Sequence, residues 1–484
     1  MNPLLYFIVV PVVIVMVAYM ARHLLFTFFA LYGKPQQRSY RRIEGGYTPR
    51  VSIFIPAHNE ELVIGNMVDR MAQLTYPKEN LEVVFIDDRS TDKTGEILEE
   101  YAKEYEFIKV LHRKSGASGK PAAMNDALNF ATGDIILTFD ADYSPQLDIV
   151  EKLVAPFTDP EVGAVQGRVT VLNEEESFVS KVVTLERIGG YRVDQMARDE
   201  LLLVPQYGGT VGGFRKDMLQ KVGGWDQHAL AEDTDLTLRC ILNGYQVRYV
   251  NGAESYEEAV TSWKAYWNQR YRWAKGHMQC AFKHLKPTLK AKNLTLFEKI
   301  ELLMLENIYF MPLFVLVGWV AGLISFVSGE ATLLTQYFLA LSVFTYSAVG
   351  NFAPFFEVGV GAYLDDRTNL VWLLPALMMG FVVMVFCCAK AFIDLLLTKN
   401  GRNGKNKWNH TAHSGGNGNG NGNGNGYHNG NGNGFKNGNG NGNGNGNGKN
   451  GKNGNGNGNG KHVNGNGNGN GLNRTNGNGN GGHS

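Results

Sequence analysis

A long polar stretch, from Pro35 to about Lys299, lies between runs of apolar residues, and this alternation constrains the chain more than any other feature of its 484 residues. The first run, Pro3 to Tyr32, reads PLLYFIVVPVVIVMVAYMARHLLFTFFALY. Its opening part is long enough for one helix to cross about 30 Å of hydrocarbon. No basic stretch precedes it and no small-residue cleavage pattern follows, so it reads as a retained anchor rather than a removed leader. Three more runs lie between Leu302 and Leu397, centred on FMPLFVLVGWVAGLISFV, LLTQYFLALSVFTYSAVGNF and VWLLPALMMGFVVMVFCCA, and each has the length of a span.

Arg22, Lys34, Arg38, Arg41, Arg42 and Arg50 follow the first span, the opening part of that run, and Lys286, Lys290, Lys292 and Lys299 precede the second. The positive-inside rule therefore puts the polar middle in the cytoplasm. Four spans starting outside would also end outside, whereas Lys399, Arg402, Lys405 and Lys407 favour an inside C-terminus. One interfacial or re-entrant segment would reconcile the two.

From about Gly415 the chain is nearly pure alternating Asn and Gly. Such a composition buries no apolar surface to offset ordering entropy, so the tail is expected to be disordered. Residues 395–484 carry nine Lys or Arg and no acid, which leaves 37 basic against 45 acidic residues in the body. The near-neutral total thus hides a mildly acidic body, and the sparse tail charges argue against nucleic acid as a partner. Cys240, Cys280, Cys387 and Cys388 have no metal-ligand spacing and read as reduced.

Inside the polar middle, VSIFIPAHN, LEVVFID, FIKVLHR and DIILTFD are short apolar runs separated by helical stretches, Glu60–Leu74, one from near Thr91, and Lys120–Phe130. Strands alternating with helices imply a doubly wound parallel sheet whose ligands bind at the carboxyl ends of the strands. The polar clusters fall at such ends. Asp87 and Asp88 close the second strand; Asp92 or Ser90 can cap the next helix, which leaves Asp88 to accept a hydrogen bond from a base N–H or a ribose hydroxyl. Asp140-Ala141-Asp142 offers two carboxylates to one hard cation, Mg²⁺ or Mn²⁺, which also binds a diphosphate. Glu232-Asp233 opens an amphipathic helix after a Gly-rich stretch, and Asp233 is the candidate general base. In WKAYWNQRYRWAKGHMQC, Gln269 and Arg272 share a helix face with Trp273 alongside. Arg272 can fork onto a diphosphate and Trp273 can offer an apolar face to a sugar ring.

Taken together these residues resemble the membrane-integrated family-2 glycosyltransferases, the group of cellulose, hyaluronan, chitin and related β-glycan synthases. The likeness covers roughly Arg50 to Gly276 plus the flanking spans and rests on PAHNE, DDRSTD, SGKPAAMNDAL, DAD, GGTVGGF, AED and QRYRW in that order. It implies a GT-A, Rossmann-like α/β cytoplasmic domain joined to transmembrane helices. It further implies Asp88 on uracil, Lys120, Pro56, His58 and Glu60 at the nucleotide sugar, and Asp142 with Asp140 at the metal. Asp233 with Glu232 would then be catalytic, Gln269 and Arg272 would hold the diphosphate, and Trp273, Gly209 and Thr210 would meet the acceptor. On this reading the chain divides into an anchor (1–33), the GT-A domain (34–260), interfacial helices (261–300), a channel bundle (301–398) with a candidate gating loop at 354–369, and the tail (399–484).

There are departures from the family. His58 stands where Tyr is frequent, Ala231 where Thr is common, and Gly359 and Gly361 replace the Thr and Lys of the cellulose-synthase gating loop. The leading expectation is a processive plasma-membrane enzyme passing glucose from UDP-glucose to a growing β-glucan chain, with the lipid bilayer as its other partner. Alternatives are a UDP-N-acetylglucosamine or mannose-nucleotide donor, a single addition to a lipid acceptor, or, from another class, a degenerate scaffold.

Overall fold

The computed structural model describes residues 3–33, 47–327 and 351–397. The third apolar run lies almost wholly outside them, as does the tail, so both expectations concern residues that are not described.

The strands β1 (Val51–Ala57) and β2 (Leu81–Asp87) are buried at every position. This is why their sequences read as continuous apolar runs rather than alternations. They pair in parallel from Val51 opposite Leu81 to Ala57 opposite Asp87, with β3 (Ile108–His112) beyond β2 and β4 (Ile135–Thr138) on the other side of β1. Four carboxyl ends therefore share one rim. The sequence expectation of an all-parallel sheet holds only for this half. The remaining strands are β5 (Ser144–Pro145), β6 (Val162–Val171), β7 (Gly212–Arg215) and β8 (Gln246–Glu257), and the eight-stranded order is β3-β2-β1-β4-β7-β6-β8-β5. Strand β7 is antiparallel to both β4 and β6, and β5 is antiparallel to β8, so the sheet is mixed. The reversal at β7 brings its preceding loop, Gly208–Val211, back onto the rim where β4 ends. Backbone bonds confirm the placement: Val211 N–H donates to the Thr138 carbonyl at 2.9 Å.

After β8 the chain enters a helix, Trp263–Lys290, followed by Leu296–Glu306 and Met311–Val327. Among the described residues two helices, Ile14–Tyr32 and Thr368–Leu397, are long and apolar enough to cross a membrane, and a third span results if the pair Leu296–Glu306 and Ile308–Val320, bent by 50°, counts as one. The N-terminal helix is tied to the helices packed around the sheet by buried charge: Arg22 meets Asp194 at 2.7 Å and Glu301 at 3.1 Å, and Arg198 meets the same two carboxylates. Arg22 is therefore an internal ion-pair residue.

Residues 354–369, read from sequence as a gating loop, are helical for their first part, Asn351–Leu364. Val358 sits against Gly189, Gly361 against Ile188, and Asp365 pairs with Arg168 and Arg192. A lysine at 361 would have no space, which explains the glycine.

Candidate active site

The rim of the sheet and the inner ends of the membrane-type helices enclose one cleft of about 780 Å³. Of the residues singled out from sequence, Pro56, Glu60, Lys120, Asp140, Asp142, Gly209, Thr210, Glu232, Asp233, Gln269, Arg272 and Trp273 all line it. His58 and Asp88 do not. Asp88 is buried behind the wall, where Arg113 Nη1 at 2.6 Å, Arg89 Nε at 2.9 Å and the Gly119 N–H at 3.1 Å satisfy its carboxylate. His58 Nδ1 lies 2.7 Å from the Asp88 carbonyl oxygen. Asp88 thus fixes the Gly119–Lys120 turn from behind; Asp92 Oδ1 accepts the Thr94 N–H at 3.0 Å just ahead of the helix Thr94–Glu104, whose N-cap position is Lys93, with no side-chain cap bond.

The Gly208–Val211 loop knits the acidic positions together. Lys120 Nζ touches Asp140 and donates to the Gly209 carbonyl at 2.9 Å, while the Asp140 N–H donates to Thr210 Oγ1 at 3.1 Å. Gly209 has φ of +88°, and a Cβ there would lie 3.3 Å from Asp233 Oδ2. A left-handed residue without a side chain is what this approach requires. Burial opposes the charge on Lys120, but Asp140, Glu232 and Asp233 outweigh it and hold the ammonium protonated. Burial first, and then the neighbouring Asp233 charge, pushes the Glu232 carboxyl up to about 7. Asp233 Oδ1 accepts the Thr234 N–H at 2.6 Å, the bond of a helix-opening carboxylate.

Helix Trp263–Lys290 presents Gln269, Arg272, Trp273 and His277 to the cleft, positions that recur on one helical face. It comes close because of Gly276. A Cβ there would be 2.8 Å from Ala231 N and 2.9 Å from Ala231 Cβ, so the helix can press its glycine directly against the turn before Glu232. Arg270 faces the other way, pairing with Glu186 and lying 4.3 Å over the Trp273 ring. Arg187 sits 5.4 Å from the same ring and holds Glu257 through Nε at 2.5 Å. Trp273 is thus fixed by two guanidinium groups, with cation–π attraction of about 0.5 to 2 kcal/mol each. Arg187, Glu257 and His277 line the cleft and were not singled out from sequence. Only the helical spacing of His277 after Trp273 could have signalled one of them.

The donor chemistry of the cleft suits a hard divalent ion. Asp140 and Asp142 supply two carboxylates from one strand exit, and no group of three or more His, Cys, Asp or Glu residues that could hold a metal is found among the described residues. Small divalent cations of this type take one or two carboxylates and fill the remaining positions with phosphate and water.

Towards the helices the lining of the same cleft turns largely apolar, although Tyr19, His23 and Asp194 also border it. Met16, Ile308, Met311, Pro312, Val315, Phe381 and Met384 line it there, drawn from the N-terminal helix and the two C-terminal membrane-type helices. Met16 and Val315 are buried against each other, with Met311 and Phe381 packed alongside.

Residues 52–223 match the family described as "Glycosyl transferase family 2". The chain is 37% identical over 247 residues to "Probable glycosyltransferase YdaM" of Bacillus subtilis (strain 168), which takes in 50% of this chain and 59% of that one. It thus spans under two thirds of that relative's length. It is 32% identical over 379 residues to the beta-monoglucosyldiacylglycerol synthase of Nostoc sp. (strain PCC 7120 / SAG 25.82 / UTEX 2576), covering 78% of this chain and 79% of that one. In fold it resembles the mannosyltransferase PcManGT from Pyrobaculum calidifontis, solved in complex with GDP-Man and Mn²⁺, with a TM-score of 0.54 at 20% identity over 80% of this chain and all of that one. The rim chemistry, the sheet order and these matches converge: the chain belongs to glycosyltransferase family 2 and is a glycosyltransferase.

Proposed function

We propose that this enzyme moves one sugar from a nucleotide-sugar donor to the hydroxyl of a membrane lipid alcohol of the diacylglycerol class, with inversion at the anomeric carbon. The observation that carries this reading is the continuity of the cleft: its acidic end and its apolar, helix-lined end form one space. A nucleoside diphosphate suits the first and acyl chains suit the second. A relative that matches across most of its length is named as a beta-monoglucosyldiacylglycerol synthase, which supports the same acceptor class and favours glucose as the transferred sugar.

In the proposed reaction Asp233 accepts the proton of the acceptor hydroxyl as its oxygen bonds to the anomeric carbon and the bond to the diphosphate breaks. Arg272 and the Gln269 amide meet the negative charge that develops on the leaving diphosphate. Lys120 holds Asp140 in place. Asp140 and Asp142 would hold Mg²⁺ or Mn²⁺, which when bound neutralises the diphosphate. Inversion follows from direct attack opposite the leaving group, since the reading invokes no enzyme nucleophile.

Membrane attachment is part of the proposal. Phe282, Leu289, Leu296 and Phe297 are exposed on the helices after the cleft, interleaved with Lys286, Lys290, Lys292 and Lys299, the pattern of a surface seated at a bilayer interface. Processive growth of a β-glucan through a channel has less support, because the segment expected to gate it is a helix packed on the catalytic layers. Purified full-length chain, incubated with labelled nucleotide sugars, Mg²⁺ or Mn²⁺, and diacylglycerol in micelles, is expected to place metal-dependent label in the organic phase as a single-sugar lipid. Label recovered only as long, water-insoluble polymer would refute the reading.

A further inference from the structure

Along helix Trp263–Lys290 the cleft-facing residues form a series. Gln269 and Arg272 come first, then Trp273, then His277 one turn further on. Beyond His277 the wall passes to Ile308, Tyr309 and Met311 and becomes apolar. His277 therefore stands where the acidic end changes into the lipid-like end, beside the segment that carries Asp233.

The environment of its ring is unusual for a side chain serving only to pack. One face stacks on Tyr309, with ring centroids 4.4 Å apart and planes inclined by 29°. Its two nitrogens lie 3.4 Å from Thr234 Oγ1, longer than a normal hydrogen bond. Thr234 Oγ1 already accepts a closer bond, at 2.8 Å, from Gln206 Nε2. Neither ring nitrogen has a shorter hydrogen-bond partner among the described residues, although the residue faces the cleft. A polar group at a half-buried site is costly unless a partner satisfies it, and here the space beside it is where an acceptor must lie for its hydroxyl to reach Asp233. Burial lowers the imidazole pKa, with Asp233 acting in the opposite direction, so the neutral ring keeps one N–H donor.

We infer that His277 is an acceptor-binding residue: held edge-on to the cleft by its stack on Tyr309, it donates a hydrogen bond to an oxygen in the polar head of the acceptor lipid alcohol and so presents the reacting hydroxyl to Asp233. The inference rests on the lipid-acceptor reading above. No covalent step is assigned to the imidazole. The acceptor's own hydroxyl proton passes to Asp233, and His277 stays neutral throughout.

The test is steady-state kinetics of the full-length protein in micelles containing dioleoylglycerol, with the nucleotide sugar that the wild type uses best. His277→Phe keeps an aromatic ring to stack on Tyr309 and removes both nitrogens, while His277→Gln restores a donor. The expected result is a rise of about tenfold in acceptor KM for His277→Phe, the size of one lost hydrogen bond, with partial recovery in His277→Gln. Donor KM, and donor hydrolysis without acceptor, stay within twofold of wild type. A purely structural role would raise both KM values together or lower thermal stability in both variants, and either outcome overturns the inference. So does an unchanged acceptor KM in His277→Phe. If the wild type transfers to no lipid alcohol, the lipid reading itself fails; if it does so and His277→Phe matches it, this inference alone fails.

Discussion

The two ends of the cleft are built on opposite principles. At the donor end charges and backbone N–H groups engage one another at defined positions, as in the contacts among Lys120, Asp140, the Gly208–Val211 loop and Asp233. At the acceptor end Met16, Met311, Val315 and Met384 present only apolar surface, contributed by helices that otherwise look like membrane spans. Fixed dipoles and charges suit a ligand whose charge changes during reaction. A methionine-rich wall suits a ligand recognised by bulk and flexibility. Under the proposed function, the contrast teaches that donor recognition is a matter of a few atoms at defined positions, whereas acceptor recognition is spread over helix packing.

If that contrast is right, substitutions at the two ends separate in kinetics. The largest effect belongs to Asp233→Asn, which is expected to lower kcat by about a thousandfold while leaving nucleotide affinity nearly intact. Equilibrium binding of UDP alongside the transfer assay checks this, and a variant that retained a tenth of its activity would remove Asp233 from the base position. Next comes Gly276→Val. Its side chain must displace the turn at Leu230 and Ala231, and a shift of about 1 Å at the base costs on the order of a hundredfold in kcat, so both ends suffer together.

A smaller change is expected from Met384→Trp, which fills part of the apolar end. Acceptor KM should rise about tenfold for long-chain diacylglycerol and much less for short-chain analogues, with donor KM unchanged; a parallel rise in donor KM would mean that the ends are not separable. The smallest effect is one of stability. Because burial and Asp233 raise Glu232 to about 7, the folded protein binds this proton more tightly than the unfolded chain between about pH 4.5 and 7. Ionised Glu232 therefore destabilises the donor-free fold above about pH 7, and the penalty disappears as pH falls below about 4.5. Glu232→Gln should stabilise the protein by on the order of 1 to 3 kcal/mol at pH 8, with the advantage fading towards pH 5 in thermal melts. A constant offset across that range would contradict the assignment.

The same contrast explains what was legible in the sequence. VSIFIPA and LEVVFID announce buried parallel strands because both faces of those strands are covered, and the carboxylates at their ends stand out as polar residues closing apolar runs. The antiparallel half was hidden. Strand β7, GGFR, carries two glycines and no periodicity, and it is a strand because the carbonyl of Ile136 and the side chain of Leu137 close on Gly213 and leave no space for a side chain there. Asp88 was visible as an acid at a strand end, but its partner Arg113 lies 25 residues away, so sequence could not show that its carboxylate would turn inward. Arg187, Glu257 and His277 belong to no motif; they reach the cleft through helix packing and the course of β8. The acceptor end was read as generic span, since hydropathy reports how apolar a helix is and not which of its faces borders a cavity.

The claim that one continuous cleft joins a sugar-nucleotide end to a lipid end is tested most directly by photo-crosslinking. A diacylglycerol carrying a diazirine in one acyl chain would be irradiated with the purified full-length protein, and the adducts located by peptide mass spectrometry. The account predicts labelling concentrated at Met311–Val315 and Phe381–Met384, reduced by excess unlabelled diacylglycerol and absent from the outer face of the same helices. Adducts scattered over that outer face, with none lost to competition, would contradict it.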